Sequence, residues 1–213
     1  MQTVIRLLLC LVSLAACSAA TVHAQQRGAS PGASAGAEGE RDEGIDWPSP
    51  DGKFAFLTSY GEDLHTIALI DKKSRKQLQQ IGEENSSQAS WHVLWAPDSQ
   101  RFALMTRLGH PIQGVDVYFR SGETFRKIEL PDLPKAEIPE GLKRGKKYPH
   151  VASQNWQEAK EWKKDGSLVV TIDTMIDGDG SSITATRTVL LGFDRAGKAR
   201  IVKSTIKYAT WTD

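Results

Sequence analysis

Trp95-Ala96-Pro97-Asp98-Ser99-Gln100-Arg101-Phe102-Ala103-Leu104-Met105-Thr106 is the stretch that decides the fold. An Asp after proline closes a tight turn by bonding the backbone two residues on, and the small residue behind it tolerates an unusual φ. A solid apolar run then follows, which reads as a buried strand. The pattern occurs twice more, at Pro48-Ser49-Pro50-Asp51-Gly52-Lys53-Phe54-Ala55-Phe56-Leu57-Thr58 and at Trp162-Lys163-Lys164-Asp165-Gly166-Ser167-Leu168-Val169-Val170-Thr171. Two of the three have a Trp ahead of the turn, supplying large apolar area for packing.

Each segment is followed by two further strand-like runs. The first unit continues with Thr66–Asp71, a Lys-Lys-Ser-Arg turn and Gln77–Ile81. The second continues with Val115–Phe119, the turn Arg120-Ser121-Gly122-Glu123 and Phe125–Leu130, and the third with Thr188–Asp194, the turn Arg195-Ala196-Gly197 and Lys198–Lys203. β-Branched and aromatic residues at period two, punctuated by Gly, Asp and Ser, predict an all-β domain of hairpins with Asp51, Asp98 and Asp165 in equivalent turns. Phe54 or Phe56, Leu69, Phe102, Leu104, Val117, Leu168, Val170 and Leu190 occupy the expected core positions. The turn Asp residues are spaced 47 and 67 residues apart. The first spacing is near the repeat of roughly 40–50 residues of a propeller blade. The second holds an insertion, 131–158, rich in proline, with the basic run Lys143-Arg144-Gly145-Lys146-Lys147. It is expected to be a long loop with one short helix around Glu140–Lys143, packed over a sheet edge.

The Ser49-Pro50-Asp51-Gly52-Lys53 and Trp95-Ala96-Pro97-Asp98-Ser99 segments resemble the repeats of the TolB-like and WD40-like (PD40) β-propeller superfamily, and the likeness runs from Trp47 to Lys203 in three units. The resemblance implies three propeller-like antiparallel sheets and says nothing about activity, because propellers host many functions. Lys163-Lys164 departs from the Ser-Pro or Ala-Pro pair of the other units. Closed propellers have about four to eight blades. Three units therefore leave an incomplete stack, a compact sandwich or barrel, or blades supplied by a partner. The open ends would be covered by the insertion or by the Thr205–Trp211 tail, since a bare strand edge invites pairing.

The N-terminus reads as an export signal: Arg6, the apolar run Leu7–Ala16, then small residues. That run is too short for the roughly 20 residues that span a bilayer as a helix. Cleavage before Gln25 gives a signal of 1–24; alternatively, Leu14-Ala15-Ala16-Cys17 resembles a bacterial lipobox, with a signal of 1–16 and a lipid anchor on Cys17. Residues 25–44 read as a disordered spacer of Gly, Ala, Ser and Glu, and 45–213 as the β-repeat domain. The expected location is periplasmic or secreted, or the outer membrane if Cys17 is lipidated.

Chemistry is thinner. Both cysteines, Cys10 and Cys17, fall within the leader, so no thiol nucleophile or cysteine ligand remains in the domain. Loss of Arg6 leaves 26 basic against 26 acidic residues, which argues against a nucleic-acid partner. Asp173–Gly180 resembles a calcium loop, but Met175 stands where an oxygen ligand is needed and Thr184 where a bidentate Glu belongs. A polar hairpin accounts for it better. The histidines lack metal-ligand spacing, and no cofactor motif is present. Trp91 and Trp156 are expected to be exposed for stacking, and Lys143, Arg144, Lys146 and Lys147 to meet an anionic surface. These features favour a non-enzymatic module binding another protein or envelope component. The rivals are a small hydrolase or lyase that gathers two or more of Asp63, His65, His92, His110, His150 and Asp177 in a cleft, and a structural envelope lipoprotein.

Overall fold

The three turns share one backbone. The computed structural model describes residues 42–62, 64–109, 113–178 and 180–212; the leader, both cysteines, most of the spacer, Asp63 and His110 lie outside them. Behind each turn Asp stands a residue at positive φ: Gly52 at 71°, Ser99 at 55° and Gly166 at 82°. Oδ1 of Asp51, Asp98 and Asp165 accepts the N–H of Lys53, Gln100 and Ser167, at 3.1, 2.9 and 3.0 Å. The N–H of each positive-φ residue donates to Ser49, Ala96 or Lys163 O, at 2.9, 3.0 and 2.9 Å. Ser99 replaces glycine at some conformational cost, and its Oγ accepts the Asp51 N–H at 3.0 Å, tying two turns together.

Each turn joins the first and second strands of a four-stranded antiparallel sheet whose strands lie in sequence order. Sheet 1 holds β1 (Asp42–Asp46), β2 (Phe54–Tyr60), β3 (His65–Asp71) and β4 (Gln77–Glu84). Sheet 2 holds β5 (Ala89–Trp95), β6 (Arg101–Leu108), β7 (Gln113–Ser121) and β8 (Thr124–Ile128). Sheet 3 holds β9 (His150–Trp162), β10 (Leu168–Gly178), β11 (Ser181–Phe193) and β12 (Ala199–Thr212). The one helix among the described residues is α1 (Glu140–Lys143). The fold is all-β in three separately hydrogen-bonded units, so the sheets do not merge into a single barrel.

Sheet 2 lies between the other two. Phe102, Leu104, Tyr118 and Phe125 face Phe54, Phe56, Ile67 and Leu69 of sheet 1. Ala103, Met105, Val115 and Val117 face Val170, Ile172, Ala185, Val189 and Leu191 of sheet 3. A strand buried on both sides reads as an unbroken apolar run, which is why Phe102–Met105 shows no alternation. The expected core residues are buried with one exception. Leu190 lies on the opposite face of β11, because Val189 pairs with Val170 and Leu191 with Leu168. A one-residue slip in reading a strand inverts its faces.

A second relation repeats from unit to unit. The tryptophan three residues before the turn Asp donates its indole N–H to the preceding unit, at the carbonyl four residues before that unit's turn Asp. Trp95 reaches Trp47 O at 2.8 Å, and Trp162 reaches Leu94 O at 3.0 Å. Arg101 adds a bridge between units 2 and 3. Its guanidinium donates to Gly166 O at 3.0 Å and to Asp98 at 2.6 Å, and lies over the rings of Phe119 and Trp162 at 5.5 and 5.3 Å.

Tyr118 stacks on Phe102 with ring centroids 4.7 Å apart. Burial, and then the Asp116 carboxylate, push its phenol from the ordinary 10 up to about 12. Between these values the unfolded chain has released a proton that the folded chain still holds, so stability falls as pH rises. A contribution of about 1–2 kcal/mol, after allowance for screening, should be present below pH 10 and lost by pH 12. Denaturant unfolding across that interval measures it, and Tyr118→Phe should flatten the curve.

Three boundaries differ from expectation. The first strand starts at Asp42, inside the stretch read as spacer, because residues 42–46 complete sheet 1 by pairing with Phe56–Tyr60. The insertion ends in strand: β9 begins at His150, so only 131–149 runs outside the sheets. The Thr205–Trp211 tail is no separate cover; it is part of β12, the edge strand of sheet 3, which pairs with β11 and packs Ile206 against the core.

Candidate binding surface

The insertion is anchored on sheet 3. Leu133 and Ile138 pack on the core between sheets 2 and 3, and Ala136 is buried in it. The Ala136 N–H donates to Asn155 Oδ1 on β9 at 3.0 Å, and Arg187 Nε on β11 donates to Lys135 O at 2.8 Å. Asn155 takes φ 51°, a conformation its short polar side chain tolerates, and its own N–H donates to Thr174 Oγ1 at 3.1 Å. Further along, a Cβ on Gly178 would collide with the backbone at Lys147 and Tyr148, so the loop lies directly on β10 there. The expected packing over a sheet edge is realised at β9 and extends across the inner face.

The basic run splits. Arg144, Lys146 and Lys147 are exposed, with Arg144 capping α1 at φ 51°. Lys143 is half-buried and paired with Glu140 at 2.6 Å, so it is not presented freely as the sequence suggests. Exposed pairs of this kind contribute little. Replacing Lys143, Arg144, Lys146 and Lys147 together with Ser should shift stability by less than about 1 kcal/mol, read as a melting curve.

The aromatic candidates also part company. Trp91 is only 6% exposed. It shares a face of β5 with Val93, packs against Tyr60 and lies over Gly82, so it belongs to the core and has no face free for a ligand. Trp156 on β9 is half-buried, with the Arg107 guanidinium 5.4 Å from its ring. That arginine also lines an open depression of about 520 Å³ with Gln88, Ser90 and Gly109. One side of the Trp156 ring is therefore already engaged within the chain.

Among the described histidine and carboxylate candidates, one pair meets across strands. His65 is buried, donating Nδ1–H to Ala89 O at 3.1 Å. His92 stands 6.0 Å edge-on from Trp47. His150 and Asp177 are cross-strand neighbours at the far end of sheet 3. Among the described residues, no three His, Cys, Asp or Glu side chains could hold a metal ion together.

The surface that sequence reasoning passed over is β12. Apart from Val202 at a register shift, it pairs with β11 along one side, and among the described residues its other side has no partner strand. Every residue from Arg200 to Thr212 except Ile206 is exposed. Among them are Val202 at 55% and Trp211 at 64%, with Ile201 and Tyr208 also open. Arg195, Lys198, Arg200, Lys203 and Lys207 give this hairpin five positive charges, and no Asp or Glu lies between 195 and 212. The loop entering it borders a groove of about 500 Å³ lined by Arg126, Ile128, Leu130, Pro131 and Glu129. The sequence did carry a signal, apolar and basic residues interleaved after Gly197 with no acidic residue up to Thr212.

No protein-family model matches the chain, and no curated protein matches it. Among solved structures it is similar to a periplasmic gluconolactonase, PpgL, of Pseudomonas aeruginosa, with 15% identity and a TM-score of 0.32 over 77% of this chain. The aligned part spans 55% of that protein's length. No helix among the described residues is long and apolar enough to cross a membrane.

Proposed function

We propose that the chain is an exported, non-enzymatic binding module of the cell envelope, built on propeller-like repeats akin to the TolB-like and WD40-like families. The observation that carries this reading is β12: a long edge strand with exposed Trp211, Tyr208, Val202 and Ile201. Large apolar side chains left exposed along an open strand edge favour an interaction role. The partner is another protein or envelope component, met in the periplasm or outside the cell. Affinity capture from native envelope extract, with the purified protein as bait, tests it. A partner retained in fixed stoichiometry is the expected result, and an empty bait defeats the reading. The mass of the mature protein distinguishes a free Gln25 from an acylated Cys17.

A second reading has one observation in its favour. His150, Asp177 and Ser182 stand in one cross-strand row on sheet 3, a residue set suited to hydrolysis or lyase chemistry. No hydrogen bond joins them among the described residues, which leaves this reading behind the first. Turnover of model esters or glycosides that is abolished by His150→Ala would reverse the order.

A further inference from the structure

An edge strand with one sign of charge restricts what can pair with it. Lysines on an edge guard against pairing with a second copy of the same strand. On β12, Arg200, Lys203 and Lys207 would meet the same three cations in any copy laid alongside. The strand nevertheless keeps the apolar side chains that a pure guard would omit: Val202 and Trp211 are more than half exposed. The pattern is repulsive toward itself and receptive to a strand of opposite charge. Added strands gain affinity from main-chain hydrogen bonds and specificity from alternate side chains. The groove beside Ala199, lined by Ile128, Leu130 and Pro131, extends the surface past the strand's N-terminal end.

We propose that β12 accepts, as a fifth strand of sheet 3, an extended segment of a partner protein in which acidic and apolar residues alternate. This rests on the binding-module reading and names the class of partner and the mode of docking. The acidic side chains lie on the face of Arg200, Lys203 and Lys207, and the apolar ones, on the opposite face, extend the surface of Ile201 and Tyr208. The backbone of the added segment satisfies the unpaired N–H and C=O groups along the edge.

The probe is a synthetic peptide of about 12 residues alternating Glu and Val, roughly 40 Å long when extended. Mixed with the purified protein, it should bind and slow amide hydrogen exchange along Ala199–Thr212. Arg200→Gln/Lys203→Gln/Lys207→Gln, all exposed positions, should weaken binding about tenfold and flatten its salt dependence while leaving the melting temperature unchanged. A version N-methylated at alternate residues should fail to bind. The proposal is overturned if the N-methylated peptide binds as tightly, if a Lys-Val peptide binds as well, or if exchange slows elsewhere. It is also overturned if the protein self-associates through β12, which makes a second copy the occupant. Capture of an envelope partner that survives the triple substitution removes this proposal and leaves the binding reading intact, whereas loss of capture by the unaltered protein removes the wider reading.

Discussion

Phe102→Ala should destabilise the protein by about 3–5 kcal/mol. The ring is fully buried, and its neighbours come from both sheets. Phe56, Trp95 and Phe125 lie 5.1 Å away between centroids and Tyr118 lies 4.7 Å away. Truncation removes the apolar transfer energy of the ring and leaves a cavity whose rigid aromatic walls cannot collapse well. Denaturant unfolding of the variant measures the loss. A value below about 1 kcal/mol would mean that sheets 1 and 2 close over the gap, contrary to the packing described.

The second large effect belongs to the joint between units 2 and 3. Arg101→Ala is expected to cost about 2–4 kcal/mol. It loses the bonds to Gly166 O and Asp98 and two ring contacts, and it exposes the core beneath. Gly166 is coupled to it. Alanine at that position must adopt φ +82° and would collide with the guanidinium of Arg101. Gly166→Ala alone should therefore be costly, while in the Arg101→Ala background only the backbone penalty of about 1 kcal/mol remains. A double-mutant cycle reads the difference. Strict additivity would show that the two residues do not share an interaction.

The turns and the strands behind them were legible because their chemistry is local: an Asp, a residue that tolerates positive φ, then an apolar run. The leading strands β1, β5 and β9 were not. None of them follows such a turn, and β9 interrupts its own alternation at Asn155 and at three register shifts. Trp91 was misjudged because its environment is made by Tyr60 and Gly82, residues from another sheet. The candidate histidines illustrate the same limit. Only the pairing of sheets decides that His65 is interior and His150 peripheral. The exposed edge at β12 was hidden for a different reason: a strand is an edge only by what fails to pair with it, and a sequence does not record an absent neighbour.

The indole bonds make the three units non-interchangeable. Units 2 and 3, which each follow another, bring a tryptophan three residues ahead of their turn. Unit 1 carries Pro48 there, which has no N–H to give. It is thus fit to begin the array and unfit to extend it. A circular permutant that moved unit 1 behind unit 3 would leave the Glu161 carbonyl, the next acceptor in the series, without its indole. An extra copy of unit 2 at the same place would supply one, so the chain has a polarity of growth written into it.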